Sequence, residues 1–343
     1  MAEGLSYIAL PLQAACRAVN QAKTRPEARE IMAGTIKRLA GQIAASKGFI
    51  GPDCRLVVLP EYFLTGFPMG DPVPAWRDKA GLEMDGPEYD ALSEIAQKNE
   101  IFLAGNAYEN DPDFPELYFQ TCFIIDPGGE VILRYRRLNS MFAPTPHDVW
   151  ERYLDLHGLE GVFPVARTEI GNLAAIASEE ILYPEVARCL AMRGAEVFIH
   201  PTSQINELAR APKEVACQAR AMENTAYLVS ANSAGIVHTP LPAQSADGGS
   251  KVVDYKGLVL SRAGQGETMS GYAQVDLAAL RRYRRRPGME NMLARQRFEL
   301  YAQSYAQHSF YPPNTMLKGA PDRKRFVDNQ MATIKRLADL KII

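Results

Sequence analysis

The 343-residue chain has no stretch approaching 18 apolar residues without a charge, so the sequence predicts no transmembrane helix. Residues 1–13 lack the basic start, apolar core and small-residue cleavage site of a secretory signal. No sign of charge is in excess either. Lys plus Arg is 38 and Asp plus Glu is 40, a net charge of -2, which argues against a dedicated nucleic-acid binder and against a charged disordered tail. Cysteines are few: Cys16, Cys54, Cys122, Cys189 and Cys217 are odd in number, scattered, and never in a C-x-x-C arrangement. That suits a reducing cytoplasm and argues against a disulfide framework or a zinc site. The five histidines, His147, His157, His200, His238 and His308, show no ligand spacing, so no metal and no cofactor is expected. A Ser/Gly/Pro-rich linker is also missing. At about 150 residues per domain the length allows two domains or one large α/β domain, and the missing linker favours one.

What is present reads as an ordinary globular chain, 47% hydrophobic and 23% charged. Ile31, Ile36, Leu39, Ile43 and Ala44 recur at helical spacing and predict a helix over 26–47. A continuous apolar run over 55–60 predicts a fully buried strand, 173–177 reads as another buried strand, and 101–107 as a strand. Further strands are expected over 5–13, 118–125, 130–135, 196–200 and 226–232. Helices are expected over 89–98, 183–193 and 212–224. Hairpins turn at Asp126-Pro127-Gly128-Gly129 and at Lys256-Gly257. Strands that alternate with helices in some places and pair as hairpins in others predict mixed sheets covered by helices, an α/β layered fold. From about Asp276 the character changes. Arg281, Arg282, Arg284, Arg285 and Arg286 precede Pro287-Gly288 and a helical run over 289–307, which reads as an arm packing on something else.

Three segments carry candidate chemistry. In Leu59-Pro60-Glu61-Tyr62-Phe63-Leu64-Thr65-Gly66 a buried strand ends at Pro, and a lone carboxylate follows. Strand ends of α/β folds open onto crevices and are where such folds place functional side chains. Leu133-Arg134-Tyr135-Arg136-Arg137-Leu138 puts guanidinium groups at another strand end. Leu173-Ala174-Ala175-Ile176-Ala177-Ser178 ends at a hydroxyl, with Glu179, Glu180 and then Tyr183-Pro184-Glu185 after it.

These segments, in this order, resemble the nitrilase superfamily of carbon–nitrogen hydrolases. Residues 7–13 resemble its first strand, 59–67 its Glu motif, 126–137 its Lys motif and 176–185 its Cys motif. Arg220-Ala221-Met222-Glu223-Asn224 with Val229-Ser230-Ala231-Asn232 resembles its R-A-x-E-N…N signature, and Asp254-Tyr255-Lys256-Gly257 its closing hairpin. The resemblance implies a four-layer α–β–β–α sandwich over residues 1–280, with 281–343 as an extension serving as an oligomerisation arm. It also implies that subunits pair, giving a homodimer or larger homo-oligomer.

Transferred position by position, the family's general base falls on Glu61. Its Lys falls on Arg137 and its nucleophilic Cys on Ser178. Its second Glu falls on Asp148, with Glu151 as the rival. The backbone N–H of Glu179 becomes the oxyanion donor, and Tyr62 and Tyr183 become pocket wall. The replacements have consequences. A thiol has a pKa near 8.5, whereas an alcohol is a far weaker acid, so Ser178 would need full general-base help. Arg137 keeps a positive charge for an oxyanion or a carboxylate but cannot shuttle a proton. The expectation is a divergent hydrolase acting on a small amide, nitrile or carboxylated molecule. The alternatives are a pseudoenzyme that kept the fold as a binding or assembly module, or a non-covalent acid–base enzyme. In the bland readings Glu61 is a structural partner of Arg137, Ser178 fills space, and Glu179 and Glu180 serve a helix N-terminus.

Overall fold

The structure, a computed structural model, describes residues 6–205, 211–317 and 322–343. Two six-stranded mixed sheets form its centre. The first runs, in spatial order, Ala273–Asp276, Ser6–Pro11, Cys54–Val58, Phe102–Asn110, Tyr118–Ile125, Val131–Arg136. The second runs Ala166–Thr168, Gly171–Ala175, Val197–Pro201, Tyr227–Ala231, Lys251–Val253, Val259–Arg262. Read in those directions, both sheets show the same succession of pairings: antiparallel, parallel, parallel, antiparallel, antiparallel. The strand expected over 5–13 is Ser6–Pro11, and Leu5 lies outside the described residues.

The continuous apolar runs are explained by burial on both faces. Leu56, Val58, Phe102, Ala104, Cys122 and Ile124 point between the sheets, against Leu173, Ala175, Val197 and Val229. The alternating residues Val57, Leu103, Phe123 and Ile125 point outward under helices Arg25–Ile50 and Pro87–Asn99. Thr24 caps the first of these helices by accepting from the Glu27 amide, and its buried stripe is Ala28, Met32, Ile36, Leu39 and Ile43. Burying each such Leu or Ile contributes roughly 1.5–3 kcal/mol. Helices Pro184–Met192 and Ala211–Glu223 cover the second sheet through Val186, Leu190, Cys217 and Ala221. The order of layers is therefore α–β–β–α, as expected. No helix among the described residues is long and apolar enough to cross a membrane.

The C-terminal part departs from expectation in detail. The arginine run does not simply face solvent. Arg281 clasps Glu196 with two bonds of 2.7 and 2.8 Å, and Arg284 donates to the carbonyl of Thr225 at 2.8 Å. The helical run expected over 289–307 is broken into a short 3-10 turn, Leu293–Arg295, and a helix, Glu299–Ala306. Asn291 causes the break: its amide donates back to the carbonyls of Arg284 and Arg286 and folds the chain on itself. A last helix, Lys324–Asp339, follows, with Phe326 buried in the core under the first sheet.

Candidate active site

Glu61 lies three residues beyond strand Cys54–Val58 and is 1% exposed. Its amide donates to the carbonyl of Thr202 at 3.3 Å, which ties it to the end of the second sheet's strand Val197–Pro201. Its carboxylate Oε1 accepts from Gln120 Nε2 at 2.6 Å and from Arg137 Nη1 at 3.4 Å. Gln120 Oε1 in turn accepts from Arg137 Nη1 at 2.7 Å, and Gln120 Nε2 also reaches Asn106 Oδ1 at 3.1 Å. Gln120 thus bridges the carboxylate and the guanidinium. Sequence reading missed it because it sits inside the apolar strand Tyr118–Ile125; its one signal was a polar residue in a run buried throughout.

Arg137 directly follows strand Val131–Arg136, and its amide extends the ladder by donating to the Gln120 carbonyl at 2.9 Å. Its guanidinium bonds Asn139 O through Nε at 2.6 Å, Gln120 and Glu61 through Nη1, and Glu179 Oε1 through Nη2. Four of five N–H bonds are thereby committed among the described residues, and one on Nη2 remains. Burial would lower its pKa, but Tyr62, Glu61 and Glu179 outweigh that and raise it, so the group stays cationic. The carboxylates it holds are the protein's own.

Ser178 ends the approach from strand Gly171–Ala175 and opens the 3-10 turn Ser178–Leu182. Its φ of +48° is a left-handed backbone that L side chains avoid, at about 1–3 kcal/mol. A strained strand-to-helix turn of this kind is how nucleophiles are presented at a sheet end. The residue is 5% exposed, and its hydroxyl makes no hydrogen bond to any described residue, Glu61 included. Its carbonyl accepts from His200 Nε2 at 2.8 Å, and His200 Nδ1 faces Ser230 Oγ at 2.8 Å. Burial holds the imidazole pKa down to about 3, so His200 is neutral, with its proton on Nε2 toward the carbonyl. Sequence reading set His200 aside for lack of metal spacing; its place at a strand end was the available signal.

Glu179 and Glu180 are not mere N-terminal carboxylates. Glu179 pairs with Arg137 and is 38% exposed, the most open charged group of the cluster. Glu180 is fully buried and accepts from the amides of Leu138 and Asn139 at 2.8 and 2.9 Å and from the Tyr135 hydroxyl at 2.7 Å. It fastens the loop after Arg137 to the turn after Ser178. Burial raises its pKa against the pull of Arg137. The Tyr62 phenol faces Glu61, and burial first and that carboxylate second push its pKa up. Its ring stacks on Tyr108 at 5.9 Å. Tyr183 is half-exposed beside Glu179.

Asp148 does not join this cluster. Its Oδ2 accepts from the amide and hydroxyl of Thr145 at 2.9 and 2.8 Å, and its Oδ1 from Thr315 Oγ1 at 2.7 Å. It is the third residue of a 3-10 turn, Pro146–Val149, whose capping geometry points the carboxylate back at Thr145. No bond from Asp148 to Glu61, Arg137 or Ser178 exists among the described residues. Glu151 is exposed, and only its amide is engaged, by Asn314 Oδ1 at 3.0 Å. The structure therefore brings together Glu61, Arg137, Glu179 and Tyr62, sets Ser178 on the adjoining turn, and leaves Asp148 apart. Among the described residues no group of three or more His, Cys, Asp or Glu could hold a metal ion.

An α–β–β–α sandwich with a carboxylate, a cation and a turn-borne hydroxyl at converging strand ends has relatives. Residues 13–285 match the carbon–nitrogen hydrolase family, and the chain belongs to that family. It is 31% identical over 211 residues to a formamidase of Bacillus thuringiensis (strain Al Hakam), covering 61% of this chain and 59% of that one. The chain thus matches less than two thirds of the length of that relative. Among solved structures, a branch 10 member of the nitrilase superfamily from Saccharomyces cerevisiae superposes with a TM-score of 0.65 at 21% identity, covering 83% of this chain and 96% of that one. An amidase from Nesterenkonia sp. superposes with a TM-score of 0.59 at 22% identity, covering 87% and 95%. At these identities the superpositions speak to the fold.

Proposed function

We propose that this protein binds a small uncharged amide between Ser178 and Arg137 and hydrolyses it through a serine ester. The observation that carries the reading is Ser178 itself: a buried residue whose hydroxyl has no hydrogen-bond partner among the described residues, held at φ +48° on the turn whose next residue pairs with Arg137. Similarity to a formamidase supports an amide as the ligand. The substrate oxygen would accept hydrogen bonds from the remaining Nη2–H of Arg137 and from the backbone N–H of Glu179. Glu61 accepts the Ser178 proton as Oγ bonds the carbonyl carbon, and returns it to the nitrogen as the C–N bond breaks. Water then attacks the ester with Glu61 again as base, releasing acid and freeing Ser178. Arg137 stays protonated throughout.

The second reading, a ligand-binding pseudoenzyme, is favoured by one feature. Arg137 is already paired with Glu61 and Glu179, and Glu61 has no bond to Ser178 among the described residues. Ammonia release from formamide, acetamide, butyramide and acrylamide separates the two. Turnover that disappears in Ser178→Ala and rises about tenfold or more in Ser178→Cys is expected, because a thiol is the stronger nucleophile. No ammonia from the parent chain, with Ser178→Ala indistinguishable from it, leaves the pseudoenzyme reading.

A further inference from the structure

Three segments lead away from the site. Residues 62–72 leave Glu61, residues 138–145 leave Arg137, and strand Tyr118–Ile125 carries Gln120. One side chain from far along the chain touches all three. Arg323 donates through Nε to the carbonyl of Asp71, through Nη1 to the carbonyl of Phe142 at 2.6 Å, and through Nη2 to the Tyr118 hydroxyl at 3.2 Å. We propose that Arg323 is a positioning residue for the Glu61–Arg137 site, supplied by a C-terminal segment outside the span that matches the family. That span ends at residue 285.

The segment is seated so that Arg323 arrives in register. The amides of Asn314 and Met316 donate to the carbonyls of His147 and Asp148, both at 2.9 Å, and Thr315 Oγ1 donates to Asp148. Met316 and Phe326 are buried in the core under the first sheet. The planar fork of Arg323 serves the three acceptors from three nitrogens; a lysine, whose three donors share one nitrogen, could not span all of them. The contact also reaches inward. Tyr118 packs edge-on to Tyr108 at 5.1 Å, Tyr108 stacks on Tyr62 at 5.9 Å, and the Tyr62 phenol faces Glu61. Arg323 therefore fixes the segments on which Glu61, Arg137 and Gln120 are mounted, without touching the reacting atoms.

The test does not depend on amide turnover, so its failure is distinct from failure of the hydrolase reading. Hydrogen exchange of the full chain is compared for the parent, Arg323→Ala and Arg323→Lys. Amides in 66–72 and 138–145 should exchange at least about tenfold faster in Arg323→Ala, with strand Val197–Pro201 unchanged. The same variants are then made on a Ser178→Cys background and alkylated with iodoacetamide, in which the thiolate displaces iodide. Peptide mapping isolates position 178 from the other cysteines. The pH profile of alkylation should shift upward in Arg323→Ala, because a loosened Arg137 stabilises the thiolate less, and Arg323→Lys should fall between. Faster loop exchange with an unchanged alkylation profile would reduce Arg323 to a surface brace. Unchanged exchange in both segments would overturn the proposal outright.

Discussion

Burial removes His200 from the physiological titration range and makes it a fixed donor. Its folded pKa of about 3 lies below the ordinary 6.5 of an unfolded histidine. The unfolded chain therefore binds the extra proton first. This part of the stability is complete above pH 6.5 and is lost as pH falls toward 3, by roughly 2 kcal/mol at pH 5. Glu180 works the other way, since its raised pKa lets the folded state take up a proton more readily than the unfolded one as pH falls. The clean measurement is the difference between His200→Gln and the parent in urea unfolding at pH 7 and pH 5. Glutamine can donate to the Ser178 carbonyl and accept from Ser230 but does not ionise, so its acid loss should be smaller by about that amount. The strand-end positions of Glu61 and Ser178 were legible because each follows an apolar run, that of Arg137 because guanidinium groups cluster at a strand end, and their candidate roles came from the resemblance. Gln120 and His200 were not legible, because a polar residue that serves a neighbour across a sheet has no local pattern of its own.

The 3-10 turn Pro146–Val149 shows two kinds of sequence signal in competition. Family spacing pointed to Asp148 as a catalytic carboxylate. The structure shows a local cap instead: Thr145, then Pro146, then an acidic residue at the third position form an N-terminal cap. The backbone amides of the turn are immediate, so the cap prevailed, and Thr315 took the remaining oxygen. Asp148→Ala should then behave as a lost cap and tail anchor. A fall of about 1–2 kcal/mol in unfolding free energy is expected, with ligand binding or turnover reduced less than tenfold. A loss of a thousandfold in rate with unchanged stability would return Asp148 to the chemistry. The longer elements were read more closely. Helix Arg25–Ile50 and strand Tyr118–Ile125 carry strong periodic or continuous apolar patterns. Helix Lys324–Asp339 was legible too, with Val327, Met331, Ile334 and Leu337 at helical spacing, although it buries only Phe326.

At the scale of the whole molecule, a layered α/β fold was legible because buried apolar strands alternate with helices, and its four-layer form came from the resemblance to the family. The path of the C-terminal segment was not legible, since its anchoring bonds are to backbone carbonyls that any sequence would offer. Exposed apolar side chains cluster at the covering helices of the second sheet, Tyr183 just before one and Met192 at its end, and Val215 and Met222 on the other. Light scattering is therefore expected to return at least twice the chain mass of 38.0 kDa, and Met192→Lys with Val215→Lys should lower it. The common succession of pairings in the two sheets has a further consequence. Glu61 is mounted on one sheet and Ser178 on the other, so the gap between them is a measure of how thickly the interior is filled. The gap acts as a calliper whose jaws are set by Leu56, Phe102, Val197 and their neighbours. Shaving one of those side chains would alter the distance between Glu61 and Ser178 without any change at either residue, so a function that depends on that distance also constrains the volume of a remote apolar layer.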